Sequence, residues 1–303
     1  MSASPDEGLN VEAASLGGSG QRLFVTPTTE QITDPTRCIF CAKTLTGRRS
    51  REHIFPRWLL GHYEAASAPF HVTWMSDPDD EVREQREFSM GNLVAGRVCT
   101  CCNNGWMSQL EQAVSAVLLP LASTERRLRF LTAEERRLIV RWAVKTAFAA
   151  RSADPGPSLV DPQQASALVD GGLPPVHVVG RQSPVDMGLS WFSTQRWLVS
   201  YPESAFDDAT ELVGTSHKTV LTVGRLLLAV CFWPDPNWSV VVSRQSHTPL
   251  WPLAENWLTY PQATDSHGID PTRETELIDM TVGTRIAHPE SQSDFTPVDP
   301  LHL

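Results

Sequence analysis

The chain has no apolar run of the roughly 20 residues that a membrane-crossing helix needs. Its longest such run, LLLAVCFW at 226–233, is the length of a strand. It also lacks the basic start and apolar stretch of a secretory signal, opening instead on the acidic, polar MSASPDEGLNVEAASLGGSG. These two absences predict a cytoplasmic protein with no membrane partner. No GxSxG, Walker or dinucleotide-binding motif is present, so the hydrolase and nucleotide classes built on them have no support. No segment repeats. Cysteine is scarce, at 6 in 303 residues, which excludes a small disulfide scaffold. What is present, 41% hydrophobic and 20% charged residues, excludes a wholly disordered or collagen-like chain.

Positive charge is also in deficit, with a net charge of −10, but the deficit sits at the ends. Residues 1–36 hold five acids and one base, and residues 264–303 hold eight acids and two bases. Residues 37–263 are therefore neutral, with 22 charges of each sign. Within them Arg37, Lys43, Arg48, Arg49, Arg51 and Arg57 face a single acid, Glu52, before Glu64. A local basic cluster of this kind is the footprint that phosphate binding needs. The plainer alternative is a solvated loop.

The patterning divides the chain into four parts. Residues 1–36 read as a flexible acidic leader with a short strand, RLFV, at 22–25. Residues 37–123 hold five of the six cysteines and one helix from Trp106 to about Leu121, with Ser108 and Glu111 in capping-box spacing. Residues 124–263 read as a helix followed by an antiparallel sheet. Thr132 and Glu135 predict the helix start, and Ile139, Trp142, Ala143, Thr146 and Ala147 form its inward stripe to about Arg151. Strands are expected at 176–180, 189–192, 196–201, 219–223, 226–233 and 239–243, with a hairpin at Gly224-Arg225. Residues 264–303 are an acidic tail rich in Pro, Ser and Thr.

Cys38-Ile39-Phe40-Cys41 and Cys99-Thr100-Cys101-Cys102 are two CxxC knuckles. In a chain without a secretory signal they favour a four-thiolate structural Zn²⁺ site, because this spacing lets both sulfurs of a knuckle reach one tetrahedral ion. The long gap between them costs on the order of 1 kcal/mol of extra loop entropy, against roughly ten times that from zinc binding. Cys101 reads as a bystander and Cys231 as a core residue. Asp77, Asp79, Asp80 and Glu81 read as a solvated loop, and most of the tryptophans as core.

Between the knuckles lie Arg51-Glu52-His53-Ile54-Phe55-Pro56 and Gly91-Asn92-Leu93, and the second knuckle runs directly into Asn103-Asn104. This ordered set resembles the HNH endonucleases, the ββα-metal nucleases that often carry a two-knuckle zinc site. The resemblance covers about residues 38–111, and CNNGWMSQLE looks like an uncharacterised bacterial subgroup. It implies an α+β fold class, a zinc-stapled, treble-clef-like ββα-metal module followed by a helix-and-sheet domain. Two features depart from the pattern: Glu52 stands where Asp is commoner, and residues 57–90 form an insertion.

The resemblance implies metal-dependent hydrolysis of phosphodiester bonds in DNA, or alternatively RNA, in a setting such as anti-phage defence or restriction. Such chemistry needs a base for water and a cation for the developing charge. His53 fits the base, because imidazole titrates near neutrality. Glu52 and Asn103 fit Mg²⁺ or another divalent cation, which requires only one or two protein oxygens, and Asn104 competes with Asn103. Asn92 would orient the imidazole, and Arg48, Arg49, Arg51 and Arg57 would meet phosphates. The alternative is an inactive zinc-knuckle module that binds nucleic acid or a protein, with the C-terminal domain as a second partner surface.

Overall fold

A computed structural model describes residues 11–16, 20–25, 36–45, 50–76, 81–153, 162–194, 197–205, 216–232, 237–243, 247–252, 257–260 and 284–297. Among them no helix is long and apolar enough to cross a membrane.

The helix Ala133–Ala153 sets the architecture. Its start follows from local chemistry: the Glu135 N–H donates to Thr132 Oγ1 at 3.2 Å, and Glu135 Oε2 accepts from the Thr132 N–H at 2.9 Å. Arg126 grips the same carboxylate at 2.5 and 2.7 Å and draws it down to about 2. The predicted stripe Ile139, Trp142, Ala143, Thr146 and Ala147 is buried, and so are Val140, Val144, Lys145, Phe148, Ala149 and Ala150. A helix closed on nearly every side lies inside a fold, not on its surface.

This helix packs against Ser108–Ala122, which buries Leu110, Val114, Val117, Leu118 and Leu121. That second helix does not begin at a Ser108 cap. The turn Thr100–Cys102 and the wide π turn Asn103–Met107, in which Gly105 departs from helical geometry (φ −95, ψ −115), lead straight into it. Ser108 therefore lies within a continuing helix, and Glu111 is released from the expected capping box to another partner.

Two sheets complete the layers. The first has five antiparallel strands in the order Thr248–Trp251, His177–Gln182, Leu226–Phe232, His217–Val223, Leu189–Thr194. Its central hairpin pairs His217 with Phe232 and Val223 with Leu226, and every residue of both strands is buried. One face (Leu221, Val223, Leu228, Val230) joins the helical core, and the other (Val220, Leu227, Ala229, Cys231) faces the second sheet. Burial on both faces explains the unbroken apolar run at 226–232. At the hairpin tip Gly224 has φ +57, and a Cβ there would lie 2.2 Å from Tyr63 Oη and 2.9 Å from the Ala122 carbonyl.

The second sheet has seven strands in the order Val11–Leu16, Gly20–Val25, Trp197–Ser200, Thr284–Ala287, Ser239–Ser243, Trp257–Tyr260, Thr296–Pro297. It is mixed, not antiparallel as expected, because Ser239–Ser243 with Trp257–Tyr260 and Thr284–Ala287 with Trp197–Ser200 run parallel. Strands joined across long stretches of chain are not bound to hairpin pairing. Leader and tail both contribute strands to it.

One hydrophobic core runs across residue 123. Phe40 of the first knuckle is buried edge-on to Trp106 at 5.4 Å and to Phe148 of the long helix at 6.4 Å.

Candidate metal centre and the Glu52–His53 strand end

The two knuckles converge. Four sulfurs, from Cys38, Cys41, Cys99 and Cys102, lie within 4.8 Å of one another, with Cys38–Cys102 at 3.9 Å and Cys41–Cys99 at 3.6 Å. A tetrahedron with metal–sulfur bonds of about 2.3 Å has edges of about 3.8 Å, so the donor set and its spacing fit a metal ion such as Zn²⁺. The turn around the first knuckle is closed by the Cys38 N–H donating to the Lys43 carbonyl at 2.9 Å, with Ala42 at φ 55. Main-chain donors support the sulfurs: Cys99 N–H to Cys38 Sγ and Cys102 N–H to Cys99 Sγ, both at 3.4 Å. The contact between the Cys38 and Cys102 sulfurs draws the Cys38 thiol down to about 4 and pushes Cys102 up; burial pushes Cys41 up. Cys101 is exposed and Cys231 lies in the core.

From Ser50 to Ile54 the chain runs antiparallel to the segment that ends at Cys99. The Ser50 N–H donates to the Val98 carbonyl, Glu52 pairs with Ala95, His53 pairs with Val94, and the Ile54 N–H donates to the Leu93 carbonyl. Alternation along this strand sends neighbouring side chains to opposite sides. Glu52 is buried and His53 half-buried.

Burial first, and then the charges of Arg57 and Arg51, hold His53 below its ordinary value, against a smaller opposing influence from the main chain at Gly91. The balance favours neutral imidazole, the form a general base requires. The exposed Asn92 donates to Ser89 Oγ at 2.7 Å and accepts from Arg51 at 3.5 Å. Arg51 and Arg57 are both exposed beside the ring, whereas Arg48 and Arg49 lie outside the described residues.

Glu52 reaches a residue that the sequence reading passed over. Its Oε1 is 2.5 Å from Lys145 Nζ, and the same ammonium donates to Glu111 Oε1 at 2.6 Å. Lys145 is wholly buried; the two carboxylates outweigh that burial and hold it above its usual value. Burial pushes Glu52 up more than Lys145 draws it down. Asn103 is half-buried and Asn104 exposed on the wide turn after the second knuckle. Among the described residues only the four cysteines form a converged set of at least three metal-ligating Cys, His, Asp or Glu side chains.

The insertion at 57–90 comprises the helix Arg57–His62 and the hairpin Pro69–Ser76 with Glu81–Ser89. Phe70 at the base of the hairpin stacks on Trp191 at 4.8 Å, which anchors the insertion to the five-stranded sheet. Among the residues read as a solvated loop, Asp77, Asp79 and Asp80 lie outside the described residues.

No family model, curated protein or solved structure matches the chain.

Proposed function

We propose that the protein is a metal-dependent endonuclease of the HNH type, hydrolysing phosphodiester bonds in DNA with His53 as general base. The observation that carries this reading is the state of His53. Its half-buried imidazole is biased to the neutral form by burial and by the charges of two exposed arginines, Arg57 and Arg51. A base for water and a cationic rim for an anionic polymer are the two things such a reaction needs at one place.

The chain order gives further support: a strand with His53, a partner strand at Val94–Ala95, then the helical turn Thr100–Cys102, capped by Cys99. Zn²⁺ at the cysteines is the structural cofactor in this account. Glu52 and Asn103 would hold Mg²⁺ or another divalent cation, which supplies charge for the phosphate and the leaving oxygen.

A second reading, a zinc-knuckle module that binds without cutting, is favoured by one observation: Lys145 already engages Glu52. Incubating plasmid DNA with zinc-loaded protein and added Mg²⁺ or Mn²⁺, beside a His53→Ala control, separates the two. Conversion of supercoiled plasmid by the wild type alone supports the nuclease. Binding without conversion supports the module.

A further inference from the structure

Just before the long helix the chain places three arginines in four residues, and the fold treats them unequally. Arg126 is neutralised: its guanidinium holds both oxygens of Glu135, at 2.5 and 2.7 Å, and donates to the Phe130 carbonyl at 3.1 Å. Arg127 and Arg129 are exposed and, among the described residues, paired with no carboxylate. Between them Leu128 points inward as a buried peg, packed where Gly180 leaves room; a Cβ there would lie 2.8 Å from Leu128 Cδ1. Gln182 locks the same turn from the sheet, its amide nitrogen donating to the Leu121 carbonyl at 2.9 Å and the Arg126 carbonyl at 2.7 Å. Two uncompensated cations are thus held on a clamped turn at the rim of a cavity of about 330 Å³, lined by Arg127, Leu128, Arg129, Gln182 and Thr248. Their mutual repulsion does nothing for the fold, and an anion between them relieves it.

We propose that this cavity binds a small sugar phosphate, with its phosphate monoester between Arg127 and Arg129 and its hydroxyls on Gln182 and Thr248. Guanidinium groups match phosphate oxygens in charge and in fork geometry, and a monoester carries nearly the two negative charges that two arginines balance. Both amide hydrogens of Gln182 are engaged by the turn, so the atom it offers the cavity is its oxygen, an acceptor. A sugar hydroxyl satisfies that acceptor, and the half-buried Thr248 can donate or accept beside it. The volume lies at the low end of the roughly 300–1,000 Å³ of small-molecule sites, which suits a compact polar ligand. The cavity is separate from His53. Thr248–Trp251 and His177–Gln182 form the opposite edge of the five-stranded sheet from Leu189–Thr194, the strand whose Trp191 meets Phe55 at 6.2 Å. The site therefore stands whether or not the protein is a nuclease.

The test is isothermal titration calorimetry of the whole zinc-loaded chain with ribose 5-phosphate, inorganic phosphate and ribose at pH 8, above the second phosphate ionisation at about 6. Ribose 5-phosphate should bind once per chain and more tightly than inorganic phosphate, and ribose alone should give no heat. Arg127→Gln and Arg129→Gln should each weaken ribose 5-phosphate by about tenfold or more, and Thr248→Val by about two- to tenfold. Both arginines are exposed, so the melting temperatures of their variants should match the wild type. A wild type that binds none of the three probes overturns the proposal, and so does a double arginine variant that binds ribose 5-phosphate as tightly as the wild type. Succinate that competes as well as ribose 5-phosphate also overturns it, because the site would then accept any anion. A 5′-phosphorylated oligonucleotide, offered without divalent cation beside its 5′-hydroxyl form, presents the same group from a strand end. Preference for that end over ribose 5-phosphate, lost in the arginine variants, overturns the free sugar phosphate as ligand.

Discussion

Glu52 and Lys145, from either side of residue 123, meet at 2.5 Å with both side chains closed to solvent. The contact ties the strand that carries the candidate base to the long helix Ala133–Ala153. Removing one partner of a buried pair strands the other charge and costs about 3–5 kcal/mol. Glu52→Ala should therefore lower stability as well as activity, whereas Glu52→Gln should retain more of the fold. Urea unfolding of both variants checks this.

Zinc content tests the cysteine cluster. Protein purified without chelator should carry one zinc per chain, and a Cys38→Ser, Cys99→Ser double variant should lose it. Because Cys38, Phe40 and Cys102 belong to the main core, loss of the metal should lower the melting temperature of the whole molecule, as scanning calorimetry would show.

The helix cap makes a smaller, local prediction. Thr132→Ala removes the hydroxyl that accepts from the Glu135 N–H and should cost about 1 kcal/mol. The change should appear as a lower urea midpoint with unaltered zinc content.

How much of this was legible depended on distance along the chain. The knuckles, the Thr132 cap and the strands read at 219–223 and 226–233 are encoded within a few residues, as spacing or as an apolar run, and the structure contains each, the last as Leu226–Phe232. Glu111 and Lys145 were not legible. Their partnership crosses the boundary placed at 123, and Glu111 fits a capping box so well that the local reading absorbed it. The available signal was Lys145 itself, the one charge inside WAVKTAFAA at 142–150. The seven-stranded sheet was hidden for a related reason: several of its strands come from the leader and the tail, where composition reads as solvent-loving. Asn92 shows a different limit, since its partners, Ser89 and Arg51, are set by the local turn and by a strand 41 residues away.

Acid should destabilise the fold through buried histidines. Burial depresses His177 and His247 to about 3 and puts His217 well below its ordinary value. All three stay neutral when folded, while the unfolded chain takes up protons below about pH 6.5. Stability is thus retained above pH 6.5 and lost as pH falls toward 3, by up to about 1.4 kcal/mol per pH unit for each histidine. Urea midpoints at pH 7 and pH 5 should differ; equal midpoints would show that these rings protonate freely in the fold.

Phosphate contact at Arg51 and Arg57 predicts salt-dependent DNA binding. Each contact contributes about 0.9 to the slope of log affinity against log salt, so Arg51→Ala and Arg57→Ala should each flatten it by about one unit. Sequence preference should change little, and fluorescence anisotropy across a salt series reads both quantities.

The most direct test of the central claim is chemical rescue of His53→Ala with imidazole, measured as single-turnover DNA cleavage at saturating Mn²⁺. The nuclease account predicts a loss of about 10²- to 10⁴-fold, the scale of a positioned base. Imidazole should restore part of that loss in proportion to its neutral fraction. Wild-type cleavage should rise with pH through an ionisation below the usual imidazole value of about 6.5, since burial and Arg57 depress His53. A His53→Ala variant that cuts as fast as the wild type, with no response to imidazole, would contradict the account and remove His53 from the chemistry.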